Sequence, residues 1–112
     1  MAVLQIPVPN GVPFSRQRLL LDTVEFEIEL RWNERESRFY IVLYDATAAM
    51  VISKKLVTDW PILRHNIDSR RPLGELIALD TLGTGDPVGL NDLGARVQLQ
   101  YIEAADVAEA LA

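Results

Sequence analysis

The stretch from Thr23 to Asn33 reads TVEFEIELRWN, and it decides the fold class. Its apolar residues alternate strictly with polar ones; they are Val24, Phe26, Ile28, Leu30 and Trp32. Because successive side chains of a strand point to opposite faces of the sheet, a slip of one residue would bury the intervening carboxylates and expose both aromatic rings. The pattern therefore predicts a half-buried β-strand with a firmly set register, with Trp32 in the core beside Phe26 and Leu30. An amphipathic helix does not produce this period.

A second strand is predicted at Arg38 to Tyr44, after the short polar stretch Glu34 to Ser37, and this spacing favours an antiparallel hairpin. One face of that strand is fully apolar, and the other carries Tyr40, Val42 and Tyr44. Two interpretations stay open. The strand lies centrally in a sandwich or barrel, or its tyrosine-bearing face meets a partner molecule.

Further β-rich segments complete the domain; they are Phe14 to Asp22, Met50 to Val57, Leu73 to Leu82 and Arg96 to Ile102. In the last of these, Arg96 is expected to point outward. Thr58 to Pro72 is expected to be a partly buried connecting loop, and the glycine-rich stretch around Gly83-Thr84-Gly85 a flexible connection. Residues 1–112 are thus predicted to form a single all-β domain, a small antiparallel β-barrel or sandwich of about six strands. The alanine-rich residues 104–112 have the composition of a short C-terminal helix or tail.

Residues 1–13 form a proline-rich N-terminal arm with Pro7, Pro9 and Pro13. Prolines keep the chain extended and out of a central sheet position. The arm also carries apolar side chains that need burial, namely Val3, Leu4 and Ile6. We therefore expect the arm to contact a neighbouring subunit instead of folding onto its own domain.

The composition excludes several classes of protein. The chain has no cysteine, so it has no disulfide, no thiolate nucleophile and no cysteine-based metal site. A net charge of −5 disfavours a nucleic-acid surface, because phosphate binding depends on Lys and Arg. Its apolar runs are shorter than the roughly 20 residues of a membrane span. The N-terminus lacks the features of a secretory signal, so synthesis and retention in a cytoplasm are expected.

No catalytic, cofactor or metal site is predicted. His65 is the only histidine and is expected to be an ordinary loop residue, because nothing near it resembles a nucleophile motif. The carboxylates suggest no site either. Those of the alternating strand are interpreted as its solvent-facing side, and the loop carboxylates lack calcium-loop spacing. The two groups are Glu25, Glu27 and Glu29, and Asp80, Asp86 and Asp92.

Several short motifs together carry a family resemblance. Trp32-Asn33 precedes the first hairpin turn, Phe39-Tyr40 follows it, and Asp45 ends the second strand. Downstream come Pro72-Leu73-Gly74 and the closing LGARVQLQY of residues 93–101. In this order, over nearly the whole chain, they resemble the baseplate plug family of contractile-tailed bacteriophages. One departure is that family members often place a Gly in the turn after the Asp, whereas residues 46–49 here read ATAA. A turn that needs positive φ is thereby disfavoured.

The resemblance implies a non-enzymatic structural protein of the virion, located in the tail baseplate. There it would plug or complete the central hub or tail-tube end, in multiple copies, through contacts with hub or tube subunits. Its candidate contact residues are Val3, Leu4 and Ile6 of the arm, together with Tyr40, Tyr44 and Trp60. Tyr and Trp suit this role because they give large contact area at low entropy cost. The alternatives are a stand-alone β-barrel module that binds a ligand or nucleic acid, and a small hydrolase. The acidic pI and the absence of a catalytic constellation count against them.

Overall fold

A computed structural model describes residues 3–63, 72 and 74–104. Seven strands are present in this part of the chain, one more than the sequence predicts. They are β1 (Val3–Ile6), β2 (Phe14–Leu21), β3 (Val24–Asn33), β4 (Arg38–Asp45), β5 (Met50–Lys55), β6 (Glu75–Asp80) and β7 (Val97–Ile102). The C-terminal helix suggested by the sequence falls almost entirely at residues 105–112, outside the described residues. None of the described residues forms a helix long and apolar enough to cross a membrane.

The strands form two antiparallel sheets. β2, β3, β4 and β5 are neighbours in chain order and make a four-stranded meander. The other sheet has the order β1-β7-β6. Inward side chains of both sheets belong to one hydrophobic cluster, which includes Ile28 and Ile41 from the first sheet and Leu76 and Leu99 from the second. The fold is therefore the sandwich form of the predicted all-β architecture, since the described strands close no barrel.

The predicted register of β3 and β4 is confirmed. Phe26, Ile28 and Leu30 are almost completely buried, as is the inward face of β4. Trp32, predicted to lie in the core, is instead at its rim and only partly buried, which corrects that expectation. Its ring packs edge-on against Phe39 with 5.0 Å between centroids. Its indole Nε1 donates a hydrogen bond of 2.6 Å to Glu34, which explains why the ring stays at the water-facing margin.

All three hairpin turns of the four-stranded sheet use left-handed backbone without glycine, and the β3–β4 turn does so with Ser37 at φ 53°. Asp22 and Thr23 join β2 to β3 with φ of 53° and 67°, the pattern of a type I′ turn. The β4–β5 turn has Ala48 at φ 67°, contrary to the expectation from its missing glycine. The Asp45 carboxylate stabilises this turn, because it accepts hydrogen bonds from the backbone N–H groups of Thr47 and Ala49 at 2.9 and 3.0 Å.

The N-terminal arm folds onto its own domain, which corrects the sequence-based expectation. β1 pairs with β7 from Val3↔Ile102 to Ile6↔Leu99. Ile6 is 1% exposed and belongs to the core. The prolines do not prevent this pairing, because all of them follow β1 and a short edge strand needs only one partner.

The described part of the predicted connecting loop covers the outer edge of β6. Thr58 forms an isolated parallel bridge with Ala78. The backbone N–H groups of Asp59 and Ile62 donate to the carbonyls of Ala78 and Leu76, both at 2.8 Å. The edge of the three-stranded sheet is thereby capped by main-chain hydrogen bonds, while Trp60 points outward.

The loop between β6 and β7 is an organised structure and not the flexible connection that the glycines suggest. The Asp80 carboxylate accepts backbone hydrogen bonds of 2.9–3.2 Å from Leu82, Gly83 and Gly85. Arg96, expected to point outward, has a side chain only 12% exposed and lies 2.9 Å from Asp80. It also donates to Asp92 Oδ2 at 3.2 Å. Arg96 thus stabilises the β6–β7 loop through its partly buried contacts with Asp80 and Asp92.

Candidate contact surface

The outward side of the four-stranded sheet brings together the predicted tyrosines; we call it the outer face. Strand pairing arranges its residues in rows across β2, β3, β4 and β5. The rows are Phe14-Arg31-Tyr40-Lys55, Arg16-Glu29-Val42-Ser53 and Arg18-Glu27-Tyr44-Met50. The three-stranded sheet packs against the opposite side, so among residues 3–63, 72 and 74–104 no second sheet covers this one and its exposed groups are available to a partner.

The glutamates of β3 are not the solvent-facing row that the sequence suggests. The side chain of Glu29 is only 1% exposed, and that of Glu27 is 14% exposed. Arg16 donates from Nε to Glu27 and lies 3.7 Å from Glu29, and Arg31 donates to Glu29. Only Glu25 is largely exposed. The arginines cover the carboxylates because β2 places Arg16 and Arg18 directly opposite Glu29 and Glu27.

Both predicted tyrosines are half-buried in the outer face. The guanidinium of Arg16 lies over the Tyr44 ring, 5.1 Å from its centroid, a cation–π contact. The Tyr40 hydroxyl donates to the Glu36 carboxylate at 2.6 Å, and Lys55 lies 3.1 Å from the same carboxylate. The hydrogen bond to Glu36 raises the pKa of Tyr40, while that bond and Lys55 lower the pKa of Glu36. Both rings are therefore held in fixed orientations.

A shallow depression lies beside Tyr40. Its volume is about 360 Å³, and it is lined by Arg31, Trp32, Asn33, Tyr40, Val42 and Ser53. Val42 is 5% exposed and adds an apolar surface. Aromatic rings, an amide and a hydroxyl around an apolar residue suit the insertion of one protruding side chain from another protein.

The other predicted contact residues lie elsewhere. Trp60 is 59% exposed, beside the β6 edge. Val57, 51% exposed, lines a cavity of about 60 Å³ with it. Leu4 on β1 is 43% exposed, whereas Ile6 is buried in the core and so is not a surface residue. The side chain of Val3 lies outside what the structure describes. The candidates therefore lie on three parts of the surface, namely the outer face, the Trp60 edge and the β1 edge, and Lys55 of the outer face also lines the cavity beside Trp60.

Three exposed apolar side chains of the outer face are not among the predicted contact residues. Phe14 is 52% exposed, Leu20 is 63% exposed and Met50 is 55% exposed. Phe14 and Leu20 point to the same side of β2 as Arg16 and Arg18, and Met50 is the β5 member of the third row. The signal was present in the sequence, because an apolar residue in register with outward arginines must itself point outward.

The histidine and carboxylates considered for catalysis or metal binding do not form such a site within the described residues. His65 lies outside them. Asp80 and Asp92 both bind Arg96. Over residues 3–63, 72 and 74–104 no three His, Asp or Glu side chains are grouped so that they could hold a metal ion.

Comparison with known families agrees with the resemblance found in the sequence. A family model described as "Cyanophage baseplate Pam3 plug gp18" matches residues 3–104. The match includes all seven strands of the fold. No curated protein matches the chain.

Proposed function

Because this chain belongs to the cyanophage baseplate Pam3 plug family, we propose that it closes or completes the end of the tail tube at the central hub of the baseplate. Membership makes it a phage baseplate plug protein. The match over residues 3–104 is the observation that carries the proposal, because it spans the whole described domain and not one motif. In this role the protein acts by occupying a position, without turnover of a substrate.

The charge distribution supports a position beside a channel that conducts DNA. The chain carries a net charge of −5. On the outer face, Arg16, Arg18 and Arg31 are paired with glutamates. Arginines that are already paired with glutamates displace few counterions from DNA phosphates. Such a surface therefore binds DNA weakly and does not retain it. A plug surface needs this property, since DNA must pass it.

The contacts in this proposal start from the outer face. Tyr40 and Tyr44 present half-exposed rings whose orientation is already fixed by Glu36 and Arg16. A side chain that is ordered before binding loses little entropy in the complex. We assign this face to a hub or tube subunit, and Trp60 and Leu4 to further subunits of a multi-copy assembly.

Deletion of the gene tests the proposal at the level of the particle. Electron microscopy of lysates should show defective or open-ended tails, and mass spectrometry of purified wild-type virions should detect the protein. Normal infectious tails without the protein, or its absence from wild-type virions, would contradict the structural role.

Point variants test the contact surface. Tyr40→Glu places a carboxylate between Arg31 and Lys55, and Tyr44→Lys places an ammonium group opposite Glu27, so the isolated fold should remain largely intact. Both should weaken incorporation into the baseplate, whereas His65→Ala should change it little. Thermal melting of each purified variant separates loss of contact from loss of folding. Normal incorporation of both tyrosine variants would remove the outer face from the proposal.

A further inference from the structure

β2 forms an open edge of the four-stranded sheet. It pairs only with β3, and its eight residues make it the longest edge strand in the described part of the chain. The other edges are shorter or covered. β1 has four residues, β5 has six and is tied through Lys54 to the Ile62 carbonyl, and β6 is capped by residues 58–62. A strand from outside therefore finds its longest run of pairing groups along β2.

The hairpin register determines which backbone groups of β2 are free. The Trp32 N–H donates to the Pro13 carbonyl, so these two residues form a hydrogen-bonded pair of the antiparallel ladder. Such pairs recur at every second residue, and the residues between them direct their N–H and C=O groups away from β3. On β2 the residues of this second kind are Phe14, Arg16, Arg18 and Leu20. Among the described residues, no other backbone group bonds to their free N–H and C=O groups.

The charged side chains exposed beside this edge are mainly arginines, although the whole chain is acidic. Arg18 and Arg16 are 70% and 44% exposed, whereas Glu27 and Glu29 are 14% and 1% exposed. Glu25, 48% exposed, lies 3.5 Å from Arg18. All three carboxylates belong to β3, on one side of β2. A strand added on the other side would place its own outward side chains directly beside the two arginines.

Apolar side chains flank the two arginines. Phe14 and Leu20, at the ends of the row, are 52% and 63% exposed. On the inward side of β2, Leu19 packs against the core but is only partly buried. The edge thus presents an outward order of apolar, basic, basic and apolar side chains, with an incompletely covered apolar side chain on its inward side.

We propose that β2 accepts a β-strand from a different protein, and that this strand carries carboxylates opposite Arg16 and Arg18. Main-chain hydrogen bonds to the free edge supply affinity in this mode of binding, and alternate side chains supply specificity. Apolar residues of the added strand face Phe14 and Leu20 outward and cover Leu19 inward. The inference rests on the proposed function only for the origin of the strand, which would be another baseplate subunit.

A second copy of this chain does not fit the edge. Two-fold pairings of β2 with itself that are centred on Gln17 or on Arg18 retain the longest overlap with outward residues facing each other. They place Arg16 opposite Arg18, or Arg18 opposite itself, and like charges directly opposite each other are destabilising. The arginines therefore discourage self-pairing of the edge and favour an acidic strand.

Synthetic peptides test the edge on the purified full-length chain. The probe LVEVEVF, blocked at both ends and fluorescently labelled, has two glutamates with the spacing of Arg16 and Arg18 between apolar ends. Fluorescence anisotropy should show saturable binding of this peptide and no binding of its lysine counterpart LVKVKVF. A third peptide keeps both glutamates but carries N-methyl groups on their backbone nitrogens. Because these nitrogens face β2 in the proposed complex, it should bind about tenfold more weakly.

Amide hydrogen exchange and two variants locate the bound peptide. The N–H groups of Arg16 and Arg18 point to the free edge, so they should exchange fast in the free protein and more slowly in the complex. The Gln17 N–H already faces β3 and serves as the internal control. Arg18→Glu should weaken binding of LVEVEVF about three- to tenfold. Lys55→Glu makes the same charge change on the opposite edge strand of the sheet and should alter binding little.

Three results would overturn the proposal. One is the absence of saturable binding of LVEVEVF at about 1 mM peptide. Another is equal binding of the N-methylated peptide, which would reduce the contact to charge attraction. The third is slow exchange of the Arg16 and Arg18 N–H groups in the free protein together with a dimer in sedimentation, which would assign the edge to a second copy. These wild-type measurements decide the question even if Arg18→Glu does not fold. Failure of the peptide test alongside defective tails after gene deletion would refute this inference alone and leave the proposed function standing.

Discussion

Tyr101→Phe removes one buried hydroxyl that joins three parts of the fold. Tyr101 is 1% exposed on the inner face of β7. Its hydroxyl donates to the Asp22 carboxylate in the β2–β3 turn and accepts from the Gly74 N–H at 2.8 Å. Asp22 also accepts from Ala104 N–H at 3.0 Å. The substitution keeps the ring, so the loss is confined to this polar junction.

Tyr101→Phe is expected to lower the free energy of unfolding because it leaves two polar groups without a hydrogen-bond partner. In the variant, the buried Gly74 N–H loses its acceptor and the Asp22 carboxylate loses a donor. An unsatisfied buried polar group costs about 1–3 kcal/mol. For a domain of this size, each kcal/mol lowers the melting temperature by roughly 4–8 °C. We expect a drop of this order in the free energy of unfolding and in melting temperature.

The pH dependence gives a second readout. Burial, and then the hydrogen bond to Asp22, raises the pKa of Tyr101 above that of an unfolded tyrosine. Because the folded state holds the proton more tightly, the contribution to stability is full below the unfolded pKa of about 10 and is lost as pH rises above it. The wild type should lose stability in this alkaline range, and Tyr101→Phe should lose less.

Urea unfolding at neutral and alkaline pH measures both effects. Tyr40→Phe is the matched control, because its hydroxyl also binds a carboxylate but is half-exposed on the outer face. A double-mutant cycle with Asp22→Ala should give a coupling energy of about 0.5–3 kcal/mol. If Tyr101→Phe changes stability no more than Tyr40→Phe does, or if the cycle shows no coupling, the junction does not stabilise the fold.

Three further predictions concern stability. Gly74→Ala should destabilise by about 1–3 kcal/mol or more in urea unfolding, because its Cβ would lie 2.1 Å from a backbone oxygen and 2.6 Å from the Tyr101 hydroxyl; an unchanged midpoint would refute the close approach. Trp32→Ala should cost less than the about 3–5 kcal/mol of a fully buried tryptophan, since the ring is at the rim; a larger loss would place it in the core. The hydrogen bond from Arg96 lowers the pKa of Asp92. The Asp92 carboxylate therefore contributes to the free energy of unfolding above about pH 4, and this contribution is lost on acidification. Asp92→Asn should flatten this acid limb in circular dichroism titrations, and an unaltered limb would contradict the assignment.

The sequence predicts the strands well because most of them have one solvent-facing side and one buried side. β3 and β4 are found within one or two residues of their predicted bounds. Alternation works here because exposing a large apolar side chain is costly in any sheet. β1 was missed since the strand has only four residues, too few to show a period.

The side-chain contacts between different strands and loops could not be predicted from the sequence. Alternation places Glu29 on the outer side of β3, but its burial depends on Arg16 of β2 and Arg31 beside it. Likewise, nothing local shows that Arg96 turns inward to meet Asp80. Such pairings require the register of neighbouring strands and the path of a long loop. Periodicity gives the side of a strand but not its neighbours.

These contacts give the two sheets different roles, one in stability and one in presenting a contact surface. The three-stranded sheet holds the chain together, since β7 receives β1 and Tyr101 ties that sheet to the β2–β3 turn. The outer face of the four-stranded sheet presents half-exposed rings and paired charges above the buried side chains of Val42 and Glu29. Substitutions of the half-exposed rings are expected to change binding with little loss of core packing, whereas substitutions around Tyr101 change folding first. For the proposed role of occupying a position in the baseplate, this separation would let the contact face vary with its partner while the domain that carries it stays the same.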